Sequence, residues 1–303
     1  MDDRYGGQVS TQPVVVGIDR SDSARLAAAW ASSIAEHRKV SVRLVHAVDI
    51  PLVGPPQLDD VERLYEALRE QGAAYLRAAA TPGADAEMLD GPVVPTLIEQ
   101  SGQASILVLG SRGQGGFTEL LVGSVPMAVA GRAHCPVVVV RGEELPPEDG
   151  PVVVGVDGTP TSEAAVAFAF AEASARGSEL IAVHAWSDSV LDTVLASGSP
   201  VWDFAPAQVH AAEILAERLA GWQEQYPDVR VTREVVHVRP AEALMARAAS
   251  ASLLVVGTRG RGGFVGLLLG STSQQLLQHA PCPVAVVRGT SPDGQAEAAG
   301  DQQ

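Results

Sequence analysis

Continuous apolar runs recur along the chain, and polar or helix-forming stretches separate them. The runs VVVG at 14–17 and ILVLG at 106–110 are apolar at nearly every position rather than at alternate ones. This pattern is typical of strands buried on both faces, as in a parallel sheet. Between the runs, apolar residues return at helical spacing, as in the stretch 23–38. The alternation of strands and helices predicts an α/β fold with right-handed crossovers.

The helical pattern also gives approximate bounds for the helices. Gly177 is placed to end the helix that precedes it. The predicted helices are 23–38, 58–79, 94–103, 162–177, 208–224 and 241–249. About five strands are predicted in each half.

The pattern of the first half returns in the second half. VVVGIDRS at 14–21 recurs as VVVGVDGT at 152–159, and SILVLGSRGQGGF at 105–117 recurs as SLLVVGTRGRGGF at 252–264. Repetition in the same order indicates a tandem duplication of a whole domain. The predicted organisation is a disordered N-terminus at 1–12, a first domain at 13–142, a linker at 143–150, a second domain at 151–289 and a disordered tail at 290–303.

Composition narrows the classes of partner. The chain has 303 residues, which is enough for two domains with cores of their own, and its net charge is −15. An acidic surface repels phosphate backbones and anionic lipid, so we expect neither nucleic-acid binding nor membrane association. The polar, acidic start lacks the features of a signal peptide, and the two cysteines occupy matching places, one per half. We therefore expect a cytoplasmic protein.

A glycine-rich segment of the form G-x2-G-x9-G-S follows the fourth strand in each half. Glycines let several backbone N–H groups turn toward one anion, and the start of a helix adds more donors. Ser124 and Ser271 are suited to cap the helices that follow. The segment therefore predicts a phosphate site, and the alternative is a tight strand-to-helix crossing with no ligand.

Two familiar phosphate motifs are absent. A Walker loop needs a lysine after its last glycine, and no lysine is near either segment. The pattern G-x-G-x-x-G also fails, because Val265 stands where its last glycine is required. Asp19 and Asp157 follow the first strand of each half, where ligands of open parallel sheets lie.

These features together resemble the universal stress protein family, and more closely its tandem-domain members. The resemblance rests on the paired VVVGxD starts, the HA that ends the second strand, and the glycine segment before CPVxVVR. It covers nearly the whole chain apart from the linker and the ends. It implies two tandem, open, five-stranded parallel sheets with helices on both faces, a Rossmann-like arrangement. It further implies ATP binding, with Mg²⁺ accompanying the nucleotide, a homodimer, and a role in regulation under stress or growth arrest through an unknown protein partner.

The resemblance assigns nucleotide contacts residue by residue. It implies no catalytic residue and no protein ligand for a metal. Asp188, just past the second strand, and its counterpart Asp49 are placed near the base. The implied nucleotide-binding residues of the first repeat are Gly17, Asp19, Gly110, Ser111, Arg112, Gly113, Gln114, Gly115, Gly116, Gly123 and Ser124. Those of the second repeat are Gly155, Asp157, Asp188, Gly257, Thr258, Arg259, Gly260, Arg261, Gly262, Gly263, Gly270, Ser271, Thr272 and Ser273.

The two repeats differ within the glycine segment. Gln114 stands where the second repeat has Arg261, and Pro126 stands where it has Ser273. The first site lacks one charge and one hydroxyl, so we expect it to bind more weakly. The alternatives to an ATP-dependent switch are a slow ATPase or nucleotidyl-transfer enzyme, and an interaction module that binds no nucleotide.

Overall fold

The computed structural model of the protein describes residues 11–49, 58–112, 122–159, 162–186, 205–260 and 268–289. The predicted disorder of the two ends concerns residues that lie almost wholly outside these ranges. Contacts divide the chain into two compact units, centred on Gln8–Pro147 and Glu148–Leu276. Across the described part of the chain, no helix combines the length and apolar character that crossing a bilayer requires.

The first repeat alternates strands and helices throughout. Its elements are β1 Val14–Gly17, α1 Asp22–Arg38, β2 Val42–Val48, α2 Leu58–Ala78, β3 Asp85–Asp90, α3 Val93–Ser101, β4 Ile106–Gly110, α4 Ser124–Ala130 and β5 Val137–Val140. The strand order is β3-β2-β1-β4-β5, and every neighbouring pair is parallel.

The second repeat reproduces this arrangement. Its elements are β6 Val152–Gly155, α5 Glu163–Arg176, β7 Leu180–Ala185, α6 Ala205–Leu219, α7 Trp222–Gln225, β8 Val231–Val236, α8 Pro240–Ala248, β9 Leu253–Gly257, α9 Ser271–His279 and β10 Val284–Val287. The order is β10-β9-β6-β7-β8, and β6 pairs in parallel with β7 and β9. The predicted α/β fold with five strands per repeat is confirmed.

The apolar runs form the central strands of each sheet. The valines of β1 and β6 are completely buried, and so are those of β5. Helices α1 and α5 cover them with mostly small side chains, which lets helix and sheet approach closely. Full burial on both faces is the physical reason that these strands read as continuous apolar sequence.

One helix differs from its prediction. The stretch 208–224 reads as a single helix, but α6 ends at Leu219 and the short α7 begins at Trp222. Gly221 lies between them with φ +84°, a left-handed conformation that interrupts a helix. The single-helix prediction was therefore wrong at this point.

Helices α1 and α5 end in the same left-handed turn, but with different residues. Lys39 has φ 56° and ψ 43°, and Gly177 has φ 62° and ψ 28°. In both turns the next amide donates back to the helix, from Val40 to Ala35 and from Ser178 to Ala173. Glycine suits this position, whereas a residue with a Cβ is strained there. Lys39 is the residue that carries this strain.

We expect Lys39→Gly to stabilise the protein by about 0.5–1 kcal/mol, because relief of left-handed strain exceeds the entropy that glycine adds to the unfolded chain. The measurement is the midpoint of urea or thermal unfolding. Gly177→Lys is the matched control and should destabilise. A Cβ at Gly177 would meet no atom within 4 Å, so that loss would report backbone strain alone. A lower midpoint for Lys39→Gly would contradict this account.

A buried ion pair distinguishes α5 from α1. Glu172 Oε2 accepts hydrogen bonds from Nε and Nη2 of Arg176, both at 3.2 Å, and the two side chains are 1% and 5% exposed. The corresponding residue in α1 is Ile34, which is also 1% exposed. One repeat fills this position with a hydrocarbon and the other with a charge that needs its partner.

Arg176→Met should destabilise by about 3–5 kcal/mol, because it leaves a carboxylate buried without its main counter-charge. Adding Glu172→Ile, the residue of the first repeat, should restore most of that loss, since an apolar pair replaces the ionic one. Denaturant unfolding of the single and double variants checks both statements. Equal stability of the two variants would show that the carboxylate is not the cause.

Candidate functional site

The strand order creates a crevice at one place in each sheet. From β1 the chain turns to β2 on one side, and from β3 it crosses to β4 on the other side. The carboxyl ends of β1 and β4 therefore flank a topological switch point, and those of β6 and β9 do so in the second repeat. Ligands of open parallel sheets bind in this crevice. In each repeat the predicted acid lies at this crevice, and the glycine segment starts from it.

In the second repeat the acid and the glycine segment meet. Asp157 Oδ1 accepts hydrogen bonds from N and Oγ1 of Thr159, at 2.9 and 2.7 Å. Its Oδ2 is buried and has no hydrogen-bond partner among the described residues. A Cβ added to Gly260 would lie 2.9 Å from this oxygen. The unsatisfied oxygen of Asp157 therefore lies next to the backbone of Gly260, where any larger residue would place its Cβ against that oxygen.

The first repeat holds its acid in the same way. Asp19 Oδ1 accepts from N and Oγ of Ser21, at 2.9 and 2.5 Å. Ser23 then fixes the start of the glycine segment, because its Oγ donates to the Arg112 carbonyl at 2.6 Å and lies 3.3 Å from the Arg112 amide. The sequence analysis missed both serines, although Ser21, a hydroxyl two residues after an acid, is a recognisable turn signal.

Gly110 is glycine because a helix passes next to it. A Cβ at this position would lie 2.6 Å from the Ser23 carbonyl carbon and 2.8 Å from the Ala24 amide. Backbone cannot give way as a side-chain tip can. Gly110 therefore sets how closely the start of α1 approaches the crevice.

Each glycine segment is closed by a backbone hydrogen bond between its ends. The Gly123 amide donates to the Ser111 carbonyl at 2.9 Å, and the Gly270 amide donates to the Thr258 carbonyl at 2.7 Å. Ser111 and Thr258 also donate their amides to the last strand of their repeat, and both side chains are buried. These two residues contribute through the backbone, which holds the ends of the segment together.

The helices after the glycine segments begin one residue earlier than predicted. Gly123 is the N-cap of α4, with φ −62° and ψ 161°, and Ser124 is the first helical residue. Ser271 is likewise the first residue of α9. The assignment of these serines as N-caps was therefore wrong. Both are exposed, whereas Thr272 is half-buried.

Ser273 has a role that differs from the phosphate contact that the resemblance implies. It is 4% exposed, and its Oγ donates to the Gly257 carbonyl at 2.7 Å. The bond ties the first turn of α9 to the end of β9. Pro126, its counterpart, is buried and makes no such bond. The hydroxyl that distinguishes the repeats is engaged within the fold.

Gly17 and Gly155 face the packing of the domain. A Cβ at Gly17 would lie 2.6 Å from Leu109 and 3.3 Å from Leu97, and one at Gly155 would lie 2.9 Å from Leu244. Packing against β4 and α3 at Gly17, and against α8 at Gly155, therefore supplies a reason for these glycines that needs no ligand.

The charged groups near the crevices are mostly exposed. Arg112 and Arg259 are exposed, and Asp49 is exposed as well. Arg141 directly follows β5, and its pKa is lowered, first by burial and then by the neighbouring Arg112. Two arginines thus lie close together beside the first glycine segment of an acidic protein. Several assigned residues lie outside the described ranges: Gly113, Gln114, Gly115, Gly116, Asp188, Arg261, Gly262 and Gly263.

The repeated histidines and cysteines serve the fold. His46 Nδ1 lies 2.7 Å from the Ile18 carbonyl, and His184 Nδ1 lies 2.6 Å from the Val156 carbonyl. Burial raises the pKa of the Cys135 thiol to about 12, which keeps it protonated and unreactive at neutral pH. Within the described residues no three His, Cys, Asp or Glu side chains are grouped to hold a metal ion.

We expect Ser273→Ala to lower stability by about 1–2 kcal/mol without any ligand present, because the half-buried Gly257 carbonyl loses the hydrogen bond from the buried Ser273 hydroxyl. Unfolding in nucleotide-free buffer measures this loss. Ser271→Ala changes an exposed hydroxyl of the same helix turn and should leave the midpoint nearly unchanged. Equal effects of the two variants would contradict the role given to Ser273.

Comparison with known proteins identifies relatives along the whole chain. The sequence profile of the universal stress protein family matches residues 10–141 and again 150–288. A universal stress protein of Mycobacterium tuberculosis is 43% identical over 296 residues, covering 92% of this chain and 97% of that protein. One of Mycobacterium bovis is 44% identical over 289 residues, covering 91% and 96%.

Solved structures agree in fold. A universal stress protein of Archaeoglobus fulgidus superposes with a TM-score of 0.61 at 21% identity, covering 93% of this chain and 98% of its own. A Pseudomonas aeruginosa protein of unknown function gives 0.58 at 15% identity and covers both chains completely. With two tandem matches to the family profile and close relatives over nine-tenths of its length, the chain belongs to the universal stress protein family.

Proposed function

We propose that the protein binds ATP at one site in each repeat and acts as a nucleotide-dependent regulator in the stress response. The observation that carries the proposal is the second crevice, where the buried Asp157 Oδ2 lacks a partner and Gly260 keeps the adjacent backbone open. An unsatisfied buried acceptor beside exposed backbone donors fits a ligand that offers both hydroxyl groups and phosphates.

In this proposal, different groups of the chain bind different parts of the nucleotide. Asp157 accepts from a ribose hydroxyl or the base, and Asp19 does the same in the first repeat. The glycine segments present backbone N–H groups to the phosphates, and Arg112 and Arg259 add charge at their starts. Mg²⁺ bound with the nucleotide neutralises phosphate charge, and the phosphates themselves hold the ion. The residues present fit this division.

The proposed ranking of the two sites does not depend on Ser273. Ser273 donates to the Gly257 carbonyl, so its hydroxyl does not separate the sites. Of the two differences described above, Arg261 against Gln114 remains. An arginine donates to phosphate oxygens with full charge, so the second site is proposed to bind more tightly.

A regulatory role suits these groups better than catalysis. Each crevice offers a carboxylate engaged in a turn with Ser21 or Thr159. A hydrolytic or transfer reaction needs a positioned base or nucleophile with a companion group. We therefore propose that bound ATP stabilises one arrangement of the glycine segments, which a regulatory protein partner recognises. The proposal includes a cytoplasmic location and a homodimer.

The experiment has two arms. Protein purified without added nucleotide is denatured by heat, and the supernatant is examined by mass spectrometry for ATP, which we expect to find. Calorimetric titration of the nucleotide-free chain should then give two sites. Gly260→Val should weaken ATP binding at the tighter site by at least about tenfold, because the valine side chain enters the space in front of Asp157.

Gly102→Ala, a glycine outside both crevices, serves as the control and should keep two sites. Circular dichroism verifies that both variants fold. Unchanged affinity at both sites of folded Gly260→Val would refute the assignment of a site beside Asp157. If the variant kept the tighter site and lost the weaker one, the ranking of the two sites would be reversed. Turnover of ATP well above that of Gly260→Val would favour an enzyme.

A further inference from the structure

The second repeat carries an aromatic pair where its second and third strands end. The rings of Trp186 and His237 stack with centroids 4.1 Å apart and planes inclined by 22°. Strand pairing brings them together, because Ala185 lies opposite Val236 and the Trp186 amide donates to the Val236 carbonyl at 3.0 Å. Trp186 is half-buried, and His237 is exposed. The pair is therefore at the surface of the carboxyl edge.

The first repeat has different chemistry at the same place. Val48 lies opposite Asp90 in the register of β2 and β3, at the level that Trp186 and His237 occupy. Val48 is buried, and Asp90 pairs with Arg69 at 3.0 Å. An aliphatic side chain and an ion pair thus replace two stacked rings. The two repeats therefore carry different kinds of side chain at corresponding positions at the ends of their second and third strands.

The aromatic pair lies next to the crevice. Gly155 pairs with Val183, so Ala185 is level with Asp157 on strands about 4.8 Å apart. The hydrogen bond between His184 Nδ1 and the Val156 carbonyl fixes these two strand ends against each other. Trp186 is the residue directly after β7. The register therefore places Trp186 one residue beyond the level of Asp157, on the side of β6 away from the glycine segment.

We infer that Trp186 is a specificity-determining residue of the second site, forming an aromatic wall for a purine base, and that His237 positions it. The inference rests on the proposed function and adds that the two sites read the base differently. In the second repeat an aromatic base gains contact with the indole. In the first repeat the same base has no such ring to contact, because Val48 is buried and Asp90 is paired with Arg69, so phosphates and ribose contribute more of its binding.

The physical basis is the large flat surface of the indole. Stacking of a base on an aromatic side chain depends on how far the two flat surfaces overlap. It is therefore stronger when the aromatic ring is held in place. His237 supplies that support by covering part of Trp186 and limiting its rotamers. An unsupported tryptophan would lose side-chain entropy on binding, which weakens the gain from contact.

The test uses the full chain with its first site disabled by Gly113→Val. Calorimetry compares ATP with inorganic tripolyphosphate, which lacks the base and ribose. Trp186→Val, which installs the residue of the first repeat, should weaken ATP about tenfold and leave tripolyphosphate unchanged. Trp186→Phe should keep most of the ATP affinity, because a ring remains. His237→Ala should fall between them. Circular dichroism checks folding, and the phenylalanine variant covers the case in which valine does not fold.

The outcomes separate the two proposals. A base-dependent loss in Trp186→Val, rescued by phenylalanine, supports the aromatic wall. Equal weakening of ATP and tripolyphosphate, or no weakening of either, overturns it while ATP binding stands. Failure of the parent chain to bind ATP overturns the proposed function and this inference together.

Discussion

The backbone hydrogen bond that closes each glycine segment is the constraint on which the site depends. Its acceptor is the residue directly after the fourth strand of a repeat, Ser111 or Thr258, and that residue is also anchored by its amide to the fifth strand. The segment therefore leaves and re-enters the fold at one point. Whatever conformation lies between, both of its ends are fixed at the switch point beside the acid, as preorganised binding requires.

Duplication allowed the two copies to diverge at positions that do not disturb this closure. Ile34 and Glu172 fill corresponding buried places with hydrocarbon and charge, and Val48 and Trp186 occupy corresponding positions at the ends of β2 and β7 with different side chains. The shared framework tolerates both, because strand pairing and loop closure use the backbone. Side chains beside the crevice are then free to differ, which is how one fold can present two unlike sites.

The sequence predicted the elements whose pattern is strong, and the misses have physical causes. The valine runs identify β1 and β6 because both faces of those strands are buried. The edge strands β3 and β8 carry mostly half-buried or exposed residues, so no apolar run marks them. Of the site, the acids and the glycine spacing were visible in the sequence. The bond from Ser273 to Gly257 and the stack of Trp186 on His237 were not, because they join residues far apart in the chain.

The left-handed turn at Lys39 has a practical consequence. Lys39 is the only lysine in the chain, and its side chain is exposed at the end of α1. Amine-directed chemistry therefore has a single side-chain target, in the first repeat and at the end of a helix opposite the start that borders the crevice. A dye or surface tether placed there would attach the protein in one defined orientation, with that crevice facing away from the attachment.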